Sequence, residues 1–228
     1  MYTCIENNTS FVVVYKYPNV DFHQEAGAPG LFQIVKSSEN FSELYPVHRL
    51  DKVTSGLLIM AKTASANQEL GRLFSERKIE KYYLAISAKK PKKKQGLIKG
   101  DMERSRRGSW KLTTAQKNPA VSQFFSRALG DGKRLFLIKP HTGKTHQIRV
   151  ALKSLGAPIL GDNLYGDSEA SVVVDRTYLH AFSLGFSLAG KAYQFQVLPR
   201  EGEHFLSEEF TAAVEDFLTP NQLPWPRL

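Results

Sequence analysis

The sequence predicts an α+β fold. Three observations predict it: short apolar runs of strand length, a few amphipathic stretches at helical spacing, and no regular alternation between the two. A chain of 228 residues can bury a substantial core without disulfide or metal staples, and one domain over 1–228 is expected.

Taken in order, FVVV at 11–14 reads as a buried strand, broken by Tyr17-Pro18-Asn19. The loop AGAPG follows at 26–30, where Gly27 and Gly30 permit unusual backbone angles. LLIMAK at 57–62 is a second apolar run. Residues 64–77 are predicted helical, with Leu70, Leu73 and Phe74 on one face. YYLAIS at 82–87 and RLFLIK at 134–139 suit strands, and 89–111 reads as an exposed basic hairpin or insertion. A helix over 145–155 follows from Ile148, Leu152 and Leu155, with Gly156 where a C-terminal cap belongs. Short strands are expected at 171–174 and 192–197. A last helix over 207–218 is capped by Ser207 and buries Phe210, Ala213, Val214, Phe217 and Leu218.

Composition narrows the class. A 42% hydrophobic and 23% charged chain is ordinary globular protein. Its single cysteine, Cys4, excludes an internal disulfide and a cysteine-rich zinc site. No apolar stretch reaches the roughly 18 residues of a membrane span, and the N-terminus does not read as a signal peptide. A cytoplasmic monomer is expected. The formal net charge is +9, and Lys81 to Lys111 holds eleven Lys and Arg against Asp101 and Glu103. That segment therefore carries the whole excess, as a polyanion-binding surface does.

Three segments mix polar groups into apolar surroundings: Val47–Asp51 with Thr54-Ser55-Gly56, Lys81–Ala85, and Thr142–Arg149. HRLD is similar to a kinase catalytic loop, but no glycine-rich nucleotide loop or DFG accompanies it. Gly143-Lys144-Thr145 lacks the upstream glycine of a phosphate-binding P-loop, since position 138 is Ile. His141 and His146 are five apart, which diverges on a helix and argues against a metal pair.

HRLDKVTSGLLIMAK closely resembles the signature HRLD-x-x-TSGLL-x-x-AK of the RluA-type pseudouridine synthases. Lys81-x-Tyr83-x-Ala85 resembles their second motif, HTGKTHQIRVALKSLGAPILGDNLYG their third, and Leu179-His180-Ala181 their fourth. The resemblance runs from about residue 11 to 186 in order. Two departures stand out: Lys144 replaces the usual Arg, which keeps charge but loses the fork, and KYPN stands where KP-x-G is common. The sequence shows no counterpart of the accessory N-terminal RNA-binding domain of many relatives.

The resemblance implies the pseudouridine synthase fold: a central mixed, mostly antiparallel sheet flanked by helices and loops, with an RNA-binding cleft. It implies isomerisation of uridine in structured RNA, either rRNA or tRNA, with no metal and no organic cofactor. Asp51 is then the catalytic carboxylate, as nucleophile or as base toward the sugar. An ionised carboxylate in a dry site needs a cation, and the resemblance makes that cation Arg149, whose fork can hold it bidentately. Tyr83 is placed against the target base, where it stacks and is a candidate proton relay, while Tyr82 points to the other side of the strand. Substrate contacts are expected from His48, Arg49, Thr54, Lys144, His146, Gln147 and Leu179, with Arg49 suited to the gap or phosphate left by a flipped base. A structural role for His48 and core packing of Leu179 are equally good readings of the residues. The alternative function is a catalytically silent RNA-binding protein on the same fold, which loss of Asp51, Tyr83 or Arg149 would have favoured.

Overall fold

The computed structural model describes residues 1–24, 27–166 and 174–228. Its strands and helices in chain order are β1 (Tyr2–Asn7), β2 (Phe11–Lys16), α1 (Leu31–Ser38), β3 (Tyr45–Pro46), β4 (Ser55–Ala61), α2 (Ala64–Ser75), β5 (Glu80–Ser87), β6 (Gln95–Gly100), β7 (Met102–Arg104), β8 (Trp110–Leu112), β9 (Ala120–Ala128), β10 (Arg134–Pro140), α3 (Gln147–Ser154), β11 (Leu179–Leu188), β12 (Lys191–Gln196) and α4 (Glu208–Val214). The chain divides into two compact units, one of residues 1–81 and 180–198, the other of 82–179 and 199–228.

In the first unit β1, β2, β4 and β11 lie side by side, with β12 on β11 and β3 on β4. β2 and β4 are buried along their whole lengths, so they read as continuous apolar runs, not as alternation. They pair antiparallel, from Phe11 opposite Ala61 to Lys16 opposite Gly56. β4 meets β11 in parallel at Ser55 and Gly56, opposite His180 and Ala181. α2 starts at Thr63, whose hydroxyl accepts the Ala66 N–H at 3.2 Å. It buries Ala66, Leu70 and Leu73 against Phe11, Leu57, Ile59, Leu184 and Phe186. Burying a Leu or Phe side chain of this kind stabilises by about 1.5–3 kcal/mol.

The second unit holds the antiparallel strands β5, β10, β9 and β6 in that spatial order, with β7 and β8 as a separate hairpin. One row runs Tyr83, Ile138, Phe124, Gly96; another, toward the far end, runs Ser87, Arg134, Ala128. Among the described residues the pairings within each unit are antiparallel except β4 with β11, so the mixed, mostly antiparallel α+β class holds.

Most expected elements are present with shifted ends. The helix expected at 145–155 begins at Gln147, because His146 takes a left-handed backbone with φ 56°. Its end is as expected: Gly156 has φ 72°, and Ala157 N–H reaches back to Leu152. The 64–77 helix stops at Ser75, and Arg77, at φ 59°, turns the chain. The 207–218 helix keeps its Ser207 cap but tightens to a 3₁₀ turn at Glu215–Phe217. The basic segment is not one hairpin: a loop at 88–94 leads into β6, and the β7–β8 hairpin follows it. Residues 171–173 of one expected strand, and Ala26 of the 26–30 loop, lie outside the described residues.

Candidate active site

The first unit carries His48, Arg49, Asp51 and Thr54 on one loop between β3 and β4. Leu50 is buried beneath it, and Asp51 is half-buried. The Thr54 N–H donates to the Asp51 carbonyl at 3.0 Å, closing a turn just after the carboxylate. Lys16, at the end of β2 and fully buried, secures that turn. Its ammonium donates to the carbonyls of Tyr17 (3.1 Å), Lys52 (2.9 Å) and Thr54 (2.7 Å). A buried charge is tolerable only with such solvation by the protein, and three carbonyl partners match its three N–H donors.

His48 anchors the loop on its other side. Its Nε2 accepts the Ile59 backbone N–H at 3.1 Å, and its ring stacks on Phe74 at 4.8 Å. Burial, with the nearby Lys81 charge, pushes its pKa down to about 3. Lys81, over the same Phe74 ring at 5.5 Å, is itself lowered by burial. His48, expected at the substrate, is thus neutral and engaged by β4. Thr54 is buried, with its backbone groups in the Lys16 turn. Arg49 is exposed and makes no hydrogen bond or ion pair among the described residues.

The Thr54-Ser55-Gly56 triplet has a backbone reason. A Cβ on Gly56 would lie 2.2 Å from the Ala181 carbonyl oxygen, and φ there is 110°, so only glycine allows the close parallel approach of β11. Ser55 Oγ lies 2.8 Å from His180 Nδ1, whose Nε2 faces the Val197 carbonyl at 2.8 Å. A carbonyl cannot donate, so Nε2 carries a proton.

In the second unit, Tyr82 is fully buried beside Trp225, while Tyr83 is half-buried on the opposite face of β5. The Thr142–Arg149 segment turns into α3. Gln147 holds that turn: its Oε1 accepts from the Thr142 hydroxyl (2.7 Å) and the Lys144 N–H (3.0 Å), and its Nε2 donates to the Val121 carbonyl (3.0 Å) and Ser122 hydroxyl (2.9 Å). All four hydrogen-bonding positions of the amide are used inside the protein. Gln147 braces the turn into α3. The Lys144 ammonium reaches Asn118 at 2.9 Å, and His146 Nδ1 lies 2.9 Å from the Tyr165 hydroxyl, which also accepts the Trp110 N–H. Leu179 is buried at 3% exposure, consistent with core packing.

Arg149, buried on α3, donates from Nε and Nη2 to the two oxygens of Asp162, each at 2.8 Å. Asp162 also accepts the N–H groups of Leu164 and Tyr165, and the guanidinium lies 5.0 Å from the Tyr165 ring centroid. The Nε and Nη2 positions of the fork thus hold Asp162. Lys16, Asp162 and Tyr165 were missed by sequence reasoning. The last two stand in the GDNLYG stretch of the third motif, which was the available signal.

The RNA pseudouridylate synthase family matches residues 10–154, a span that holds the Lys16 clamp, the Asp51 loop, Tyr83 and Arg149. The chain belongs to that family. An uncharacterized RNA pseudouridine synthase of Haemophilus influenzae is 45% identical over 94% of this synthase and 95% of the relative. The dual-specificity RNA pseudouridine synthase RluA of Escherichia coli is 33% identical over 65% of this chain and 69% of its own. The synthase spans about half the length of the ribosomal large subunit pseudouridine synthase C of Rickettsia bellii. Human RNA Pseudouridylate Synthase Domain Containing 1 shares the fold, with TM-score 0.76 at 22% identity over 100% of this chain and 97% of that one. The synthase is an isomerase of RNA uridines, and no helix among its described residues is long and apolar enough to cross a membrane.

Proposed function

We propose that Asp51 is the catalytic carboxylate of this synthase, that Tyr83 and Arg149 act with it, and that the substrate is a stem-loop of rRNA or tRNA. The observation that carries the assignment of Asp51 is how firmly its backbone is held: by the buried Lys16 on one side, by His48 on Ile59 on the other, and by the Gly56 approach just beyond. A reacting group gains from such fixing, because misplacement of about 1 Å costs on the order of 10²-fold in rate.

The reaction exchanges one bond for another. The bond from uracil N1 to C1′ of the ribose breaks, the base rotates, C5 bonds to C1′, C5 gives up its proton, and the freed N1 takes one up. Composition is unchanged, so no redox partner or water is consumed. The Asp51 carboxylate assists either by attack or by taking a sugar proton. Tyr83 stacks on the base, and its hydroxyl relays the C5 proton. Arg149 presents its guanidinium in an orientation set by Asp162. Exposed Arg49 addresses a phosphate or the gap left by a flipped base. His146 and Lys144 contact substrate from the α3 turn, while His48, Thr54, Gln147 and Leu179 support the residues that do.

One catalytic domain over 1–228 is the proposed organisation, and a family match with residues in both units supports it. A cytoplasmic monomer is the proposed working form. An rRNA substrate is supported by a relative named for the ribosomal large subunit, and the name of another gives two specificities. Mapping pseudouridines in total RNA from cells with and without the protein tests this reading. A lost site in rRNA or tRNA supports it, and identical maps contradict it.

A further inference from the structure

The basic run divides between two ends of one sheet in the second unit. Its arginines lie on the β7–β8 hairpin beyond Gly100, with Arg104 over Trp110 at 5.6 Å. Five of its lysines lie on the loop 88–94, beyond the row of Ser87, Arg134 and Ala128. β6 joins the two, so they stand roughly 20 Å apart along the strand direction at about 3.3 Å per residue.

The lysine loop is anchored. The Lys89 N–H donates to Ser87 Oγ at 3.1 Å, Pro91 is buried, and the Lys94 carbonyl accepts the Ser126 N–H and hydroxyl at 2.6 and 3.1 Å. Lys89, Lys90, Lys92, Lys93 and Lys94 are all exposed around that buried proline. Lys90, Lys92, Lys93 and Lys94 make no ion pair among the described residues. Arg134 lies beside the anchor at 8% exposure, donating Nη2 to Ser126, and its Nε has no partner among the described residues. Asp216 pairs with Arg127 and Asp131 with Lys133, and Glu209 lies by Gly130 at the neighbouring turn. Residues 88–94 themselves contain no acidic side chain.

We propose that the 88–94 loop is a second RNA-binding surface that grips the phosphate backbone of a helical arm outside the stem-loop holding the target uridine. This rests on the reading of the substrate as structured RNA. The chemistry selects a backbone partner. The loop, AKKPKKK, has no aromatic side chain on which an unpaired base could stack, no Asn or Gln to read a base edge, and no exposed Arg fork. Lysines act as point charges toward phosphate and carry no sequence information. The hairpin at the other end has both Arg and Trp and is suited to unpaired bases. Two grips roughly 20 Å apart call for a substrate larger than the target loop alone.

The test compares wild type with the K90Q/K92Q/K93Q/K94Q variant on two RNAs: a minimal modified stem-loop, and the same stem-loop with its flanking helix. Equal thermal melting establishes that the variant folds. On the longer RNA the variant should bind at least tenfold more weakly at 0.15 M salt. Its slope of log affinity against log salt should fall by about three to four units, from ~0.9 per duplex phosphate contact. Turnover at saturating RNA should match wild type, since uniform binding does not enter the chemical step. On the minimal stem-loop neither affinity nor slope should change. Unchanged slope and affinity on the longer RNA, or equal losses on both RNAs, would overturn the proposal. So would a loss confined to binding of phosphatidylserine vesicles, which would assign the loop to a membrane surface. Failure of the functional reading is separable: wild type would then form no pseudouridine, while the lysine dependence of RNA binding persisted.

Discussion

Arg149 and Asp162 form a bidentate pair inside the second unit, Nε to Oδ2 and Nη2 to Oδ1, both 2.8 Å, with the Asp162 side chain fully buried. Removing either partner leaves a buried charge with its main counterion gone, which costs about 3–5 kcal/mol. Arg149→Ala and Asp162→Ala should therefore both lower unfolding free energy in urea by about that much. Arg149→Lys should fall between wild type and Arg149→Ala, because it keeps charge and loses the fork. Wild-type stability in Asp162→Ala would show the pair to be unimportant to the fold.

Lys16→Met keeps the length of the side chain and removes the donor to three carbonyls around the Asp51 turn. Each buried acceptor left without a partner costs about 1–3 kcal/mol. The variant should be destabilised by a few kcal/mol. In the fraction that remains folded, turnover should drop more than RNA affinity, since the loop positions a reacting group. A fall in affinity with unchanged turnover would place Lys16 in RNA binding instead.

The His48 pKa of about 3 lies below the ordinary value of 6.5. Between those values the unfolded chain takes up a proton that the native chain does not. His48 thus makes stability fall as pH drops from 6.5 toward 3, with a slope of up to about 1.4 kcal/mol per pH unit. His48→Phe should flatten that part of the stability profile relative to wild type. It should not remove a limb of the activity profile near neutral pH, because the ring stays neutral there. A lost limb near pH 6.5 would make His48 an acid–base group.

The sequence made the buried strands and the long motifs legible. β2, β4, β5 and β10 are apolar runs, and α2 has clear helical spacing. β9 was missed because Ser122, Gln123 and Ser126 are buried polar residues inside a strand. β11 was missed because Gly185 and two serines interrupt LHAFSLGFSL. α1 begins at Gly30 with no side-chain cap, and β1 is a half-exposed strand without alternation. In the site, Lys16 was invisible because its partners are backbone carbonyls, which no motif spells out. Asp162 was passed over because a buried arginine can serve more than one carboxylate, and the reactive one drew the assignment.

Tyr83→Phe removes only the hydroxyl and leaves the ring that stacks on the base. RNA affinity should hold while turnover falls by about 10²-fold or more, the usual range for proton transfer by a positioned group. Wild-type turnover would reduce Tyr83 to stacking alone.

The most direct measurement is single-turnover pseudouridine formation by Asp51→Asn on a modified stem-loop, read beside RNA affinity under the same salt. The substitution preserves shape and removes the carboxylate charge. Product formation should fall below detection while the RNA dissociation constant stays within a few-fold of wild type, because affinity rests mainly on phosphate contacts. Turnover approaching wild type in a preparation free of parent enzyme would contradict the assignment of Asp51.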